Sequence, residues 1–580
     1  MKEKNENIPD PKKIEKELGE FLNKKFGGTV KIVSPSLAPN EVPVSGKDTS
    51  EGRKKLINFD IKPTELIAYL DQYIVKQERA KSVLATKICT HFNRVKHLEL
   101  SRDSEATITG SIKSNILMLG PTGVGKTYLV KLIAKRIGVP FVKADATKFS
   151  ETGYVGGDVD DLVRDLVKEA DDDIELAECG IIYIDEIDKI ASSRNLHGAD
   201  ISRTGVQRAL LKPMEETDVD LKVPHDPVSM MQELESFQRT GKRSQRRVNT
   251  ANILFIMSGA FSDLAEIVTR RVTHHTMGFG SSLTKNGDAN KVLKQLTAED
   301  LVEFGFESEF IGRLPVRCIL DSLSKEDLFS ILRMPNNPVI LGKRLDFAAY
   351  GIDIVFTNES LHLLAERAAR ENTGARGLVS VVENALLEFE EKLPSSTVTK
   401  FVVTPEVLSD PGTQLAAILA DEHRDRFEKN YLTASETEQQ YINRYISDNW
   451  KNLSLRHGLT LSKFRSELVA QYYCAHVTEL GTAIKTIKGY YEAVKKIEVD
   501  FYQKYDLNIV FEEDAVDFLI EQFIKHYITS EDIMTKIYND FYDGLNLIRE
   551  KSKTNRFFIP RKALLDHEAF LESLIRKKIS

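Results

Sequence analysis

Ile116-Leu117-Met118-Leu119-Gly120-Pro121-Thr122-Gly123-Val124-Gly125-Lys126-Thr127 is the stretch that decides the fold of this chain. Gly120 to Thr127 fits GxxxxGK[ST]. It directly follows an apolar run and directly opens an amphipathic one, the context that makes this short pattern a phosphate-binding loop. Its glycines let backbone N–H groups converge on phosphate oxygens, Lys126 adds a point charge for the β and γ phosphates, and the Thr127 hydroxyl can ligate Mg²⁺. All eight residues, Gly120, Pro121, Thr122, Gly123, Val124, Gly125, Lys126 and Thr127, are therefore expected to hold nucleotide. Outward from the loop, strands are expected over 115–119, 141–145 and 181–184, with helices over 64–97, 127–137 and 158–169. Strands alternating with amphipathic helices predict a parallel α/β sheet.

The second deciding stretch is Ile181-Ile182-Tyr183-Ile184-Asp185-Glu186, four apolar residues followed by two carboxylates. A buried strand of that length delivers the acids to the sheet's C-terminal edge, beside the phosphate loop. Asp185 is then the Mg²⁺ holder and Glu186 the base for an attacking water, which favours hydrolysis over transfer to another substrate.

At 580 residues the chain is long enough for three or four domains. Its 41% hydrophobic and 29% charged content is that of a globular protein and excludes wholesale disorder. No window reaches the apolar length of a membrane span, and the charged start, MKEKNENIPDPKKIEKE, is not a signal peptide. A cytoplasmic location and no membrane partner are expected. Cys89, Cys179, Cys318 and Cys474 lie far apart without a CxxC pair, so buried thiols are expected and zinc is not. A net charge of −7 gives no electrostatic case for a nucleic-acid partner.

Residues 1–60 read as a charged helix (12–25), a short strand (30–33) and a Pro/Ser/Gly-rich linker. Residues 191–250 read as polar and irregular, ahead of an apolar strand at 253–257. The chain beyond Leu323 reads as largely helical, and its last segment holds the lone tryptophan, Trp450.

Several separated motifs now fall into one order. The chain resembles the Clp/Hsp100-type AAA+ unfoldases, with ClpX the nearer likeness and HslU the more distant, over about 63–411. Tyr73-Ile74-Val75-Lys76-Gln77 is similar to the family's adenine-pocket segment, which implies that Ile74 and Val75 contact the base, although Lys76 stands where a glycine is usual. Thr152-Gly153-Tyr154-Val155-Gly156 resembles the pore loop, with Tyr154 and Val155 as the implied grip on a translocating polypeptide. Ser258, at the end of ILFIMSGAF, matches sensor 1. Arg313 in Glu309-Phe-Ile-Gly-Arg-Leu-Pro315 matches the arginine finger, which implies a ring, and Arg376 in Thr373-Gly-Ala-Arg-Gly377 matches sensor 2. Taken alone, both arginines read better as surface ion pairs. Met277-Gly278-Phe279 resembles the peptidase-docking tripeptide, with Met277 in place of isoleucine, and residues 241–247 match a basic pore-entrance loop by position and charge. The N-terminal zinc-binding domain of ClpX has no counterpart, since no cysteine precedes Cys89.

The resemblance implies an α/β AAA+ module: a P-loop NTPase large domain with a parallel sheet (61–322), a small, mainly helical domain (323–411), and outside the likeness an N-terminal region (1–60) and a mostly helical C-terminal extension (412–580). It implies an ATP- and Mg²⁺-dependent unfoldase acting on polypeptide substrates as a homo-oligomer, a hexameric ring in this family. A ClpP-like peptidase is the implied partner; the alternative is a peptidase-independent remodeller that binds partners through its extension. One feature lies outside the resemblance. The apolar pattern of 351–366 recurs over 506–521 at an offset of 155, and that of 400–410 recurs over 556–566 after a one-residue slip. Residues 507–579 therefore read as a degenerate copy of the small domain, with Glu531 at the position of Arg376.

Overall fold

The computed structural model describes residues 60–100, 113–149, 158–191, 201–221, 247–275, 292–420, 424–526, 528–552 and 554–579. Helices α1 (Pro63–Leu70) and α2 (Glu78–Leu100) lead into β1 (Ile116–Leu119), α3 (Lys126–Ile137), β2 (Phe141–Asp145), α4 (Asp161–Glu169), α5 (Ile174–Ala177) and β3 (Ile181–Asp185). Then follow α6 (Ile201–Met214), β4 (Asp218–Asp220), β5 (Arg247–Asn249), β6 (Leu254–Gly259), α7 (Leu264–His275), α8 (Ala298–Phe304), α9 (Ser308–Gly312) and β7 (Val316–Ile319). Five strands form one parallel sheet in the order β2-β3-β6-β1-β7.

Every position of β1 and β6 is buried, as a sheet covered on both faces requires. The two-residue period of the strands divides their side chains between two cores. Leu117, Leu119, Ile182, Ile184, Phe255 and Met257 meet Leu162, Val163, Leu166 and Val167 of α4 on one face. Ile116, Met118, Ile181, Tyr183, Leu254 and Ile256 meet α1, α2 and α3 on the other.

Two expectations need correcting. The helix expected over 64–97 is broken between Leu70 and Glu78, because Lys76 and Gln77 adopt φ of 60° and 67°, a left-handed backbone that no α-helix continues. The segment read as irregular carries α6 and an antiparallel pairing of β4 with β5, which is too short and too polar to show a period.

After the sheet come α10 (Lys325–Arg333), α11 (Pro338–Ala348), β8 (Asp353–Phe356), α12 (Asn358–Arg370), α13 (Ala375–Lys392), β9 (Lys400–Val403), α14 (Pro405–Ser409) and α15 (Pro411–Leu419). These elements close around their own core, which includes Leu328, Phe347, Phe389, Phe401 and Ile418. The chain continues as α16 (Arg424–Asp448), α17 (Trp450–His457), α18 (Lys463–Ala475), α19 (Leu480–Tyr505), β10 (Ile509–Phe511), α20 (Glu513–His526), α21 (Ser530–Ser552), β11 (Phe557–Ile559), α22 (Arg561–Leu565) and α23 (His567–Ile579) around a further core.

The order of elements from α18 to α23 repeats that from α10 to α15. The parallel pairing Ile354↔Phe401, Val355↔Val402, Phe356↔Val403 has the same register as Ile509↔Phe557, Val510↔Phe558, Phe511↔Ile559 under the offsets read in the sequence. Left-handed residues stand at equivalent places before the first strand, Gly351 at φ 75° and Asp506 at φ 55°. Equivalent turns follow, Thr357 N–H to Val403 O at 3.1 Å and Glu512 N–H to Ile559 O at 3.0 Å. The main difference in length is that α19 has 26 residues where α11 has 11. Cys89, Cys179 and Cys318 are buried and Cys474 is half-buried, all as free thiols. Among the described residues no helix is long and apolar enough to cross a membrane.

Candidate nucleotide-binding site

Gly123 at φ 77° and Gly125 at φ 92° turn the chain between β1 and α3 through backbone that L side chains rarely adopt. Gly125 is the N-cap of α3, so the loop ends on the free amides of a helix N-terminus. The loop residues from Thr122 to Thr127 line a cleft of about 500 Å³ together with Ile74, Val75, Asp185, Glu186, Asn337 and Arg376. The cleft thus gathers the expected phosphate, adenine, carboxylate and sensor-2 positions, contributed by elements hundreds of residues apart.

The loop expected to bind phosphate and the segment expected as sensor 2 touch directly. The Ala375 amide donates to Gly123 O at 2.8 Å. A Cβ on Gly123 would lie 2.0 Å from Thr373 O, and one on Gly374 would lie 2.9 Å from Gly123 C, so only glycine allows this approach from either side. Arg376 sits in the first turn of α13, immediately after that contact.

At the strand ends, period 2 turns Tyr183 and Asp185 to the same face as α3. Ser258 Oγ donates to Asp185 Oδ1 at 2.7 Å, and Tyr183 Oη lies 2.6 Å from Ser258 Oγ. Thr127 Oγ1 lies 3.1 Å from Tyr183 Oη and 3.4 Å from Asp185 Oδ2, while Lys143 Nζ reaches Asp185 Oδ2 at 3.2 Å. Burial alone would raise the Asp185 carboxyl. Hydrogen bonds from Ser258, Lys143 and the Glu186 amide outweigh it and hold the group below its ordinary value, as an anion fit for a cation. Burial likewise pushes the Tyr183 hydroxyl up to about 12, so it stays a neutral donor. Burial lowers the Lys126 ammonium, against the pull of Asp185 and Asp188; its Nζ donates to Gly120 O at 2.6 Å and Pro121 O at 2.9 Å. Glu186 follows β3 at φ 55°, a left-handed conformation that costs a carboxylate residue about 1–2 kcal/mol and is held by its surroundings.

A profile for the AAA domain (Cdc48 subfamily) matches residues 111–317, the segment that carries this loop and sheet. The ATP-dependent Clp protease ATP-binding subunit ClpX of Treponema denticola is 38% identical over 365 residues, 62% of this chain and 84% of that protein. The proteins of the same description from Borrelia duttonii and Borrelia recurrentis are each 40% identical over 351 residues, 59% of this chain and 77% of theirs. The chain belongs to the ClpX family. It is an AAA+ ATPase, an ATP-dependent unfoldase of the Clp type, that binds nucleotide.

Not every ClpX-like position lies in the cleft. Ser258 is wholly buried and held by Tyr183 and Asp185 behind the lining. Arg313 is half-exposed, does not line the cleft of its own chain, and pairs with Glu215 at 2.5 Å, the surface ion pair that it suggests when read without its motif. Tyr154 and Val155, the tripeptide Met277, Gly278 and Phe279, and the basic residues 242–246 lie outside the described residues. Sequence reasoning missed Tyr183, which it counted as core, and Lys143. The available signal for Tyr183 was the strand period itself, since a residue two before Asp185 must share its face.

Proposed function

We propose that this ClpX-family ATPase assembles as a hexameric ring, threads polypeptides through its pore, and delivers them to a ClpP-like peptidase in the cytoplasm. The observation that carries the reading is the convergence of the phosphate loop, Asp185, Glu186 and Arg376 on one cleft. ATP is held by Gly120 to Thr127, with the base against Ile74 and Val75. Thr127 and Asp185 would hold Mg²⁺, whose charge neutralises the phosphate oxygens. Glu186 takes a proton from the attacking water, whose oxygen bonds to the γ-phosphorus as the bond to ADP breaks. Ser258 and Tyr183 orient Asp185. Arg376 stabilises charge on the phosphates of its own chain, and Arg313 exchanges Glu215 for the γ-phosphate bound by a neighbour. Tyr154 and Val155 grip the polypeptide, and Met277 to Phe279 dock the peptidase.

The experiment is a pair of variants. Lys126→Ala loses ATP binding. Glu186→Gln binds ATP but hydrolyses it on the order of 10²-fold or more slowly, and its rings retain client polypeptides for mass spectrometry. Unaltered nucleotide affinity in Lys126→Ala would sink the site assignment.

The same reading extends the copy expected over 507–579 back to Lys463, into helices that the sequence suggested were a spacer, and treats α18 to α23 as a second, nucleotide-blind copy of the small domain. Where α13 opens on Gly374-Ala375-Arg376, α21 opens on Thr529-Ser530-Glu531, capped by Thr529 and Asp532, each accepting from the other's amide at 3.2 and 3.0 Å. Acids in that first turn would repel phosphate. The parent chain should bind one nucleotide, and Lys126→Ala none; a residual site in Lys126→Ala would reject the nucleotide-blind assignment.

A further inference from the structure

The C-terminal extension bonds residues at the nucleotide cleft without lining it. One wall of the cleft is the segment after α1, with Tyr73, Ile74 and Val75. The opposite wall is the connection between α10 and α11, where Met334 and Asn337 line the cleft. The equivalent connection of the second unit, residues 476–479, joins α18 to α19 and is not part of the lining.

Its last residue is placed unlike its counterpart. Asn337 caps α11 conventionally, accepting from the amides of Val339 and Ile340 at 2.7 and 3.1 Å. Glu479 occupies the N-cap of α19 without any side-chain cap bond, and its Oε2 instead accepts from Tyr73 Oη at 3.3 Å. The next amide, Leu480 N–H, donates to Asn336 Oδ1 at 2.9 Å in a buried bond. Two consecutive residues therefore hold both walls.

Neighbouring contacts repeat the arrangement. On the first wall Arg456 Nη1 donates to Gln72 Oε1 at 2.6 Å, and its guanidinium stands 4.4 Å over the Tyr69 ring, itself 5.1 Å from the ring of Tyr73. On the second wall the buried Tyr473 hydroxyl donates to Pro335 O at 2.8 Å. Burial and the Glu479 carboxylate both raise the Tyr128 hydroxyl, to about 12, so the acid is felt along the lining as well.

We propose that Glu479, with Arg456, is a positioning residue for ATP: the extension clamps the adenine wall against the connection between α10 and α11 and presets the cleft for the nucleotide. A clamp of this kind lowers the ordering cost of binding without touching the reacting phosphate, so it acts on affinity rather than on the chemical step. The proposal rests on the nucleotide reading of the cleft, and the experiment separates the two.

Steady-state hydrolysis and titration with ATP and a fluorescent ATP analogue are run on the full chain and on Lys126→Ala, Glu479→Ala, Glu479→Gln, Arg456→Ala, Tyr73→Phe, Glu479→Ala/Arg456→Ala and Tyr73→Phe/Glu479→Ala. The expected result is a KM for ATP raised about 3-fold in Glu479→Ala and about 10-fold in Glu479→Ala/Arg456→Ala, one and two lost hydrogen bonds respectively. The kcat at saturating ATP stays within about twofold of the parent. Glu479→Gln keeps an acceptor and restores most of the affinity, and Tyr73→Phe reproduces the loss without adding to that of Glu479→Ala. Unchanged KM in Glu479→Ala and in the double variant, while Lys126→Ala loses binding, overturns the clamp and leaves the site standing. Equal falls in kcat and kcat/KM with lowered thermal stability, not rescued by Glu479→Gln, also overturn it, since that is how a structural contact would behave. Nucleotide affinity in Lys126→Ala equal to that of the parent overturns the site reading itself.

Discussion

Lys76 offers a test of how this chain accommodates a departure from its family, because it stands where a glycine is usual yet adopts φ 60°. A non-glycine residue held left-handed is disfavoured by about 1–2 kcal/mol. The structure supplies compensation: Lys76 Nζ donates to Asp327 Oδ2 at 2.8 Å and to Ser322 O at 2.8 Å, tying the break between α1 and α2 to the start of α10. The lysine side chain is 37% exposed and the aspartate 20%, so the ion pair contributes no more than about 1 kcal/mol after screening, and the carbonyl bond about as much. Lys76→Met removes both contacts and keeps the backbone strain, costing about 1–2 kcal/mol. Lys76→Gly removes the same contacts but relieves the strain, so it should lie about 1 kcal/mol above Lys76→Met in local stability. The contacts cancel in that difference, which isolates the backbone. Hydrogen exchange at the Asp321 amide, which donates to Gln77 Oε1 at 2.8 Å, reports opening of this joint. It should be about fivefold slower in Lys76→Gly than in Lys76→Met. Equal or faster exchange in the glycine variant would refute the argument from φ.

Other outcomes follow from buried groups. Arg465, 1% exposed, bonds Asp517 at 2.7 Å and Glu513 at 2.7 Å, so Asp517→Ala should destabilise the extension by roughly 3–5 kcal/mol, while Arg465→Met/Asp517→Leu should recover most of it; thermal unfolding and proteolysis of the extension measure both. His91 is pushed down to about 4 by burial, with Nε2 at 2.8 Å from Asn252 O. A folded value below the unfolded one of about 6.5 means that stability is complete above that pH and is lost as pH falls through the window toward 4, so His91→Gln should flatten the acid side of the stability profile between about pH 6.5 and 4. For Asp327, burial opposes but the bond from Lys76 and the Ser324 cap prevail, so its carboxyl lies below its ordinary value. Its contribution is present above about pH 5 and lost on further acidification, and Lys76→Met should reduce that loss.

The central sheet was legible because buried parallel strands are written as apolar runs beside short, chemically constrained motifs. Gly120 to Thr127 and Asp185-Glu186 carry their own geometry, since the loop needs glycine and the acids must follow four buried residues. The break at Lys76 was not legible from the lysine itself, although a glycine is usual there: no local rule places a lysine left-handed, and its compensation comes from Asp327 and Ser322, far away in sequence. The roles of Tyr183 and Lys143 escaped for a related reason, because an aromatic in a core strand looks like packing until its hydroxyl finds Ser258. Glu479 was invisible altogether. Nothing in a single helix N-cap announces that its carboxylate has turned toward a tyrosine 406 residues earlier.

On the reading of α18 to α23 as a second copy, comparing the two units separates features that serve the fold from features that would serve the nucleotide. Strand register, the left-handed residue before β8 and β10, and the turn into the next helix are the same in both units, because each closes a core around a two-stranded parallel pair. The start of the following helix differs. Gly374 lets the backbone approach Gly123 to a distance that any Cβ would block, whereas Thr529 spends its hydroxyl on capping α21 and could not make that approach. The connection before α11 likewise lines the cleft, while its equivalent before α19 is not part of the lining and bonds Tyr73 and Asn336 through Glu479 and Leu480. On the proposed reading, a copy without phosphate contact can exchange an N-cap bond for a contact to the adenine wall: Glu479 leaves the start of α19 without a side-chain cap and accepts from Tyr73 instead.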